Sequence, residues 1–194
     1  MQLAIIKYNA GNIQSVSFAL ERLGVNFRIT EDPEEIRSSD KVIFPGVGEA
    51  STTMKYLRER KLDVVIRNLK QPVLGVCLGM QLMCKYSEEN STDCLGIFDE
   101  TVKAFVPTED MKVPHMGWNN LSLQNGWLDG QLEGKFAYFV HTYYVPVNQY
   151  TSSTTEYIEV FSSALHKENF YAVQFHPEKS AETGELVLKS FLRL

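Results

Sequence analysis

Cys77 lies in the run Pro72-Val73-Leu74-Gly75-Val76-Cys77-Leu78-Gly79-Met80-Gln81, where an apolar strand passes through a cysteine straight into helix-forming residues. That is the pattern of a nucleophile elbow, with a thiol in place of a hydroxyl. Gly75 and Gly79 flank the cysteine at i−2 and i+2, which removes side chains that would crowd a sharp strand-to-helix turn. A helix N-terminus at such a turn offers free amides and the positive end of a dipole, and both favour thiolate. A base comes late in the chain. Phe170-Tyr171-Ala172-Val173-Gln174-Phe175-His176-Pro177-Glu178 reads as a second buried strand that ends in a histidine, with a carboxylate two residues beyond it. Cys77, His176 and Glu178 can thus act as nucleophile, proton shuttle and orienting carboxylate for covalent acyl transfer. Free cysteine is often only a small buried hydrophobe, and that plainer reading suits Cys84 and Cys94.

Acyl transfer also needs a place for negative charge on oxygen. The backbone N–H of Leu78, directly after the nucleophile, is one donor. Gly46-Val47-Gly48 follows another apolar strand and lets backbone approach a substrate or a peptide turn over. It is no dinucleotide fingerprint, because the third glycine is missing. Gln81 lies one turn past Cys77, on the same helix face. Glu89 has the charge to pair with an ammonium group, and Thr142 and Tyr143 follow the strand residues Phe139 and Val140 with a hydroxyl and backbone groups. The four histidines show no close ligand spacing with each other or with the cysteines, so no metal is expected.

Four further segments accompany the Cys77 run and the His176 run, which continues as His176-Pro177-Glu178-Lys179-Ser180: Tyr8-Asn9-Ala10-Gly11-Asn12, Pro45-Gly46-Val47-Gly48, Pro114-His115-Met116-Gly117-Trp118-Asn119 and His141-Thr142-Tyr143. Together they resemble the class I glutamine amidotransferases, and within them the glutaminase subunits of imidazole glycerol phosphate synthases, over nearly the whole chain. The resemblance implies a Cys77-His176-Glu178 triad that hydrolyses L-glutamine to L-glutamate and ammonia through a cysteinyl thioester. It implies an oxyanion hole from Leu78 and from Val47 or Gly48 after a peptide flip, and substrate contacts from Gly46, Gln81, Glu89, Thr142 and Tyr143. No cofactor is implied. The implied partner is a (β/α)8-barrel cyclase subunit in a heterodimer, which takes the ammonia and makes imidazole glycerol phosphate and aminoimidazole carboxamide ribotide in histidine biosynthesis. Asn12, Met116, Trp118 and Lys179 are the expected interface residues; a Trp and a Met in one segment suit an interface core if they are exposed.

Two departures stand out. Lys7-Tyr8-Asn9 replaces the Asp-Tyr-Gly common near the N-terminus of similar chains, and Thr142 stands where serine is usual. Three other readings remain open at this level. One is the glutaminase of pyridoxal phosphate synthesis, which should lack a counterpart of Pro114 to Asn119. The second is a non-catalytic binding module on the same fold. The third is a hydrolase or isomerase with the same elbow, which would have no need of Gln81.

The elements that must position these residues alternate. Leu3–Ile6, residues 25–30, Lys41–Phe44 and Val73–Val76 read as strands, with helices over 13–23, from Asp32 onward, and over 49–68 with a break near Lys61. Asn12 is placed to cap the first helix and Gly24 to stop it. This alternation predicts an α/β fold of the class I glutamine amidotransferase (flavodoxin-like) type: a mixed, mainly parallel sheet with helices on both faces and an antiparallel extension. The extension draws on strand-like residues 101–106, 121–123, 136–144, 157–164 and 170–175, and a helix over 184–194 closes the chain. Chemistry in such sheets gathers beyond the carboxyl ends of the strands. The 194 residues are expected to form one domain, residues 1–194, able to bury roughly 70% of the unfolded surface. A net charge of −5 without a basic block argues against nucleic acid. Three cysteines, no apolar run of membrane-spanning length and no leader pattern point to a reduced cytoplasmic protein.

Overall fold

Runs such as Leu-Ala-Ile-Ile and Val-Leu-Gly-Val have no polar face to offer water. The computed structural model, which describes residues 1–8, 12–124 and 126–194, puts both at the centre of a sheet, buried on both sides. Asn9, Ala10 and Gly11 of the N-terminal motif lie outside the described residues. The first half alternates strand and helix: β1 (Leu3–Ile6), α1 (Ile13–Arg22), β2 (Phe27–Thr30), α2 (Pro33–Ser38), β3 (Lys41–Phe44), α3 (Ala50–Glu59), α4 (Leu62–Arg67), β4 (Val73–Val76) and α5 (Leu78–Met83). Short strands then dominate: β5 (Cys84–Ser87), β6 (Thr92–Asp93), β7 (Phe98–Ala104), β8 (His115–Asn120), β9 (Ser122–Leu123), β10 (Phe136–His141), β11 (Tyr143–Tyr144), β12 (Thr151–Glu156), β13 (Val160–Lys167) and β14 (Phe170–Val173), before the closing helix α6 (Ala181–Leu192).

The main sheet has eight strands in the order β2-β1-β3-β4-β14-β13-β12-β9. From β2 to β14 neighbours run parallel, and β13, β12 and β9 add antiparallel. The antiparallel pair β10-β8 and the four-stranded sheet β11-β7-β5-β6 lie apart from it. The period-2 alternation of the buried strands divides the core. Ala4, Ile6, Val42 and Phe44 pack with residues of α2 to α5 on one face. Leu3, Ile5 and Ile43 pack with residues of α1 and α6 on the other.

Helix ends follow local chemistry. Asp32 accepts from the N–H groups of Glu34 (2.8 Å) and Glu35 (3.1 Å) with Pro33 in the first turn of α2. Glu49 caps α3 the same way, through Ser51 and Thr52. The expected break at Lys61 is real: its φ of 58° separates α3 from α4. Other expectations need correction. Asn12 does not cap α1; its backbone is left-handed and its side chain turns elsewhere. The 136–144 strand splits at Thr142 into β10 and β11. Pro114 to Asn119, to which no strand is assigned from sequence, supplies most of β8. The polar run of β12 looks like a loop, yet Ser153, Thr151 and their β13 partners Ser163 and Ser162 satisfy one another's hydroxyls. α6 begins three residues early because Pro177–Lys179 already winds as a 3-10 turn that runs into it.

The central pairing places the site. β4 and β14 run parallel with Val76 opposite Val173, so Cys77 and His176 leave the sheet at one carboxyl edge. β3 pairs on the far side of β4 and releases Pro45 and Gly46 at the same edge. Gly79 lets α5 press onto that neighbour, for a Cβ there would overlap the Phe44 carbonyl oxygen. Gly79→Ala should therefore destabilise the fold by about 3 kcal/mol, near the top of the range for overpacking; urea unfolding of the variant against the parent chain measures it.

Candidate active site

The elbow forms as its sequence predicts. β4 delivers Cys77 into φ 51° and ψ −108°, a conformation rare for a residue with a side chain and worth of order 1–3 kcal/mol of strain. Two bonds hold it there: its N–H donates to Val173 O (2.8 Å), and its carbonyl accepts from Gln81 N–H (3.2 Å). Gly75 has no room for a side chain, because a Cβ would meet Met83 Sδ at 2.8 Å.

His176 is fully buried. Its Nδ1 donates to Glu178 Oε1 at 2.7 Å, which leaves Nε2 buried without a hydrogen-bond partner among the described residues. Both side chains are shielded from water. Burial on its own would lower the imidazole's pKa, but hydrogen bonding and charge from Cys77 and Glu178 outweigh it and raise the value to about 10. A cationic ring against sulfur is the setting in which thiolate forms. Asn12 completes the group. Expected as a cap and an interface residue, it does not cap α1 and donates its amide to Glu178 Oε1, the oxygen that also takes His176 Nδ1. Burial holds the other thiols protonated: Cys84 well above the usual range and Cys94 at about 12.

A cleft of about 290 Å³ opens over the sulfur, lined by Val47, Gly48, Cys77, Leu78, Gln81, Glu89, Pro114, Val140, His141, Thr142, Tyr143 and His176. At the small end for ligand sites, it suits an amino acid better than a nucleotide. Every residue expected to touch substrate lines it except Gly46, which is buried just behind. Glu89 accepts from Ala50 N–H at 2.8 Å, and burial raises its pKa. The Leu78 N–H does not face the cleft as a free donor. It donates to the Gly46 carbonyl at 3.3 Å, so that carbonyl stands where a substrate oxyanion would sit. Of the expected interface residues, Met116 and Trp118 are 63% and 54% exposed on β8, which excludes the alternative of a buried Trp118. Lys179 holds its ammonium 5.9 Å from the Tyr138 ring.

Three participants escaped the sequence reading. Gln174 donates to Cys77 Sγ at 3.7 Å, and His115 and His141 form a buried pair, Nδ1 to Nε2, at 2.9 Å. The available signal was polarity inside an apolar strand, at Gln174 and at His141. Among the described residues no group of three His, Cys, Asp or Glu could hold a metal ion, and no helix is long and apolar enough to cross a membrane.

Comparison with known proteins agrees across the chain. The class-I glutamine amidotransferase family model matches residues 4–193. The imidazole glycerol phosphate synthase subunit HisH of Bacteroides fragilis (strain YCH46) is 60% identical, with all of both chains covered. The HisH subunit of Idiomarina loihiensis is 43% identical, covering all of this chain and 98% of its own. Among solved structures, a glutamine amidotransferase superposes with a TM-score of 0.76 at 17% identity, covering 98% of this chain and 97% of the other. One from Thermotoga maritima gives 0.66 at 16%, covering 100% and 83%. At such identities the structures speak for the fold alone.

The neutral histidine pair carries a pH signature. Burial pushes His115 down to about 4 and His141 to about 3, whereas histidine in the unfolded chain titrates near 6.5. Between those values the unfolded state binds more protons, so the folded state loses stability as pH falls through that window. Thermal unfolding midpoints should drop from pH 6.5 to 4, with a shallower slope in a His115→Gln variant.

Proposed function

The chain belongs to the class I glutamine amidotransferase family, and on that premise we propose that it is the glutaminase subunit of an imidazole glycerol phosphate synthase, hydrolysing L-glutamine and passing the ammonia to a cyclase subunit in histidine biosynthesis. The observation that carries the chemistry is the buried His176, bonded through Nδ1 to Glu178 and leaving Nε2 for Cys77, beside a cleft of amino-acid size. The choice of acceptor is supported by the full-length identity to HisH subunits.

The Cys77 thiolate adds to the side-chain carbonyl carbon of glutamine, and the negative charge moves to the carbonyl oxygen. Collapse breaks the C–N bond while His176 protonates the leaving nitrogen, giving ammonia and a thioester. Water then adds with His176 as base, and glutamate leaves as the thiolate is restored. Glu178 keeps the ring oriented and Asn12 steadies Glu178. Gln81, Glu89, Thr142 and the backbone of Tyr143 bind the α-amino and α-carboxylate end of the substrate. In this reading residues 1–194 act as one glutaminase unit in the cytoplasm.

The oxyanion needs Leu78 N–H and a second donor from Val47 or Gly48. With the Gly46 carbonyl on Leu78 N–H, the hole is closed. Rotating the Gly46–Val47 peptide withdraws that carbonyl and presents the Val47 N–H. The rotation is local, since Tyr8 Oη donates to the Pro45 carbonyl before the loop and the Glu49 cap anchors α3 after it. One such donor is worth about 3 kcal/mol, or 10²–10³ in rate, enough to act as a switch. The partner is a (β/α)8-barrel cyclase that covers Met116, Trp118 and Lys179. Lys179 follows Glu178 directly, so docking is felt at the triad and favours the open hole.

Glutamine hydrolysis should be low in the isolated chain and rise about 10²-fold or more when the cyclase subunit is titrated in, followed by glutamate release; full turnover without it would sink the switch. Cys77→Ala should cost about 10⁴-fold or more in the complex. Trp118→Ala should weaken association by about 2 kcal/mol, read by calorimetric titration.

A further inference from the structure

Gln174 has no place in the triad, yet it is fully buried directly beyond β14 and lies against the nucleophile. Its backbone is held by the sheet, with N–H to Ser163 O at 2.9 Å. The side-chain amide bridges two groups of the cleft: Oε1 accepts from Gln81 Nε2 at 3.0 Å, and Nε2 donates to Cys77 Sγ. The orientation of these amides follows from one backbone atom. The Tyr143 carbonyl can only accept, and it lies 3.0 Å from the Gln81 amide, so Gln81 presents its nitrogen there. The second hydrogen of that nitrogen goes to Gln174, which must therefore present oxygen to Gln81 and N–H to sulfur. The same carbonyl receives His141 Nδ1 at 2.8 Å. That leaves His141 Nε2 to accept from His115 Nδ1, and His115 Nε2 to accept from Asn119 Nδ2 at 3.3 Å. Every proton in the chain has one direction.

We propose that Gln174 is a positioning residue that couples substrate recognition to the nucleophile: it fixes Gln81 with its carbonyl oxygen toward the cleft and holds an N–H on the Cys77 sulfur. Both Gln81 hydrogens are spent, and its Oε1 accepts no hydrogen bond among the described residues. An acceptor left free in the cleft matches the α-ammonium of an amino acid and rejects a carboxylate. The N–H on sulfur stabilises the thiolate formed before attack and restored at the end. Turning the Gln174 amide over would set oxygen against sulfur and nitrogen against nitrogen, so the two functions stand or fall together. The proposal rests on the glutaminase reading of the cleft.

The test compares the full chain with Gln174→Glu and Gln174→Met, each saturated with the cyclase subunit. It measures kcat and KM for glutamine and, separately, the rate at which iodoacetamide alkylates Cys77 at neutral pH, with unfolding midpoints to certify the fold. Gln174→Glu still accepts from Gln81 but no longer donates to sulfur. Its kcat and alkylation rate should fall about ten- to hundredfold, the range for a lost hydrogen bond to a charged group, with KM within about threefold of the parent. Gln174→Met loses both bonds, so KM should rise about tenfold as well. If both variants leave KM and alkylation at parental values, or shift them by one common factor, the inference is overturned. Should the methionine variant not fold, the glutamate variant's unequal effects on KM and alkylation decide alone. A parent chain that leaves glutamine intact with its partner sinks the glutaminase reading, and the alkylation rates still decide the Gln174–sulfur contact.

Discussion

Four residues of β4 and four of β14 lie side by side in parallel register, from Val73 opposite Phe170 to Val76 opposite Val173, and the site exists because both strands end on the same line. The chain separates Cys77 from His176 by just over half its length. The pairing brings them together, and Asn169, just before β14, ties the two strand entrances by donating its amide to the Leu69 and Gln71 carbonyls before β4. A slip of one residue would turn the β14 side chains to the opposite face and take His176 away from the sulfur. Register is protected by burial on both faces, where Leu74 and Val76 pack on the α1 and α6 side and Val73 on the other.

At the end of β4 the backbone is held in a conformation that an L-residue avoids, and the surroundings rather than the residue sustain it. Val173 fixes the Cys77 amide from the neighbouring strand, while missing side chains at Gly75, Gly79 and Gly46 let α5, β3 and the 46–48 loop close in. That close approach has a second effect. It brings the Gly46 carbonyl within reach of Leu78 N–H, so the contact that completes the elbow also takes up the donor proposed for the oxyanion. Glycine stands on both sides of Val47, and bonds at Pro45 and Glu49 anchor the chain before and after it, which would confine the proposed rotation to that peptide.

Histidine takes opposite states around one cleft, which shows how far environment outweighs residue type. His176 has a carboxylate on one nitrogen and a cysteine near the other, and its charged form is favoured despite complete burial. His115 and His141 hydrogen-bond only to neutral groups, with Asn119, each other and the Tyr143 carbonyl completing the chain, so burial, with repulsion from His176 added at His141, leaves them uncharged. An uncompensated charge in either position would be costly. The neutral pair instead transmits hydrogen-bond direction from β8, with its exposed Met116 and Trp118, to the carbonyl that orients Gln81.

Read alone, the sequence determined what is local: buried runs such as Val73 to Val76, the cap at Asp32, the break at Lys61, and the elbow, whose glycines and cysteine stand within five residues of each other. It paired Cys77 with His176 and Glu178 because acyl transfer requires those groups; the structure lines one cleft with Cys77 and His176 and bonds Glu178 to the histidine. It erred where long-range partners override local preference. Asn12 looks like a cap but spends its amide on Glu178, the hydroxyl-rich β12 is a strand only because β13 answers its hydroxyls, and Thr142 interrupts a strand that composition would carry through. Which nitrogen of each histidine faces which partner, that Gln174 touches the sulfur, and that the Gly46 carbonyl takes the Leu78 N–H were decided only by the tertiary structure. Hydrogen bonds have direction and length, and no spacing along a chain specifies either for groups that meet across a sheet.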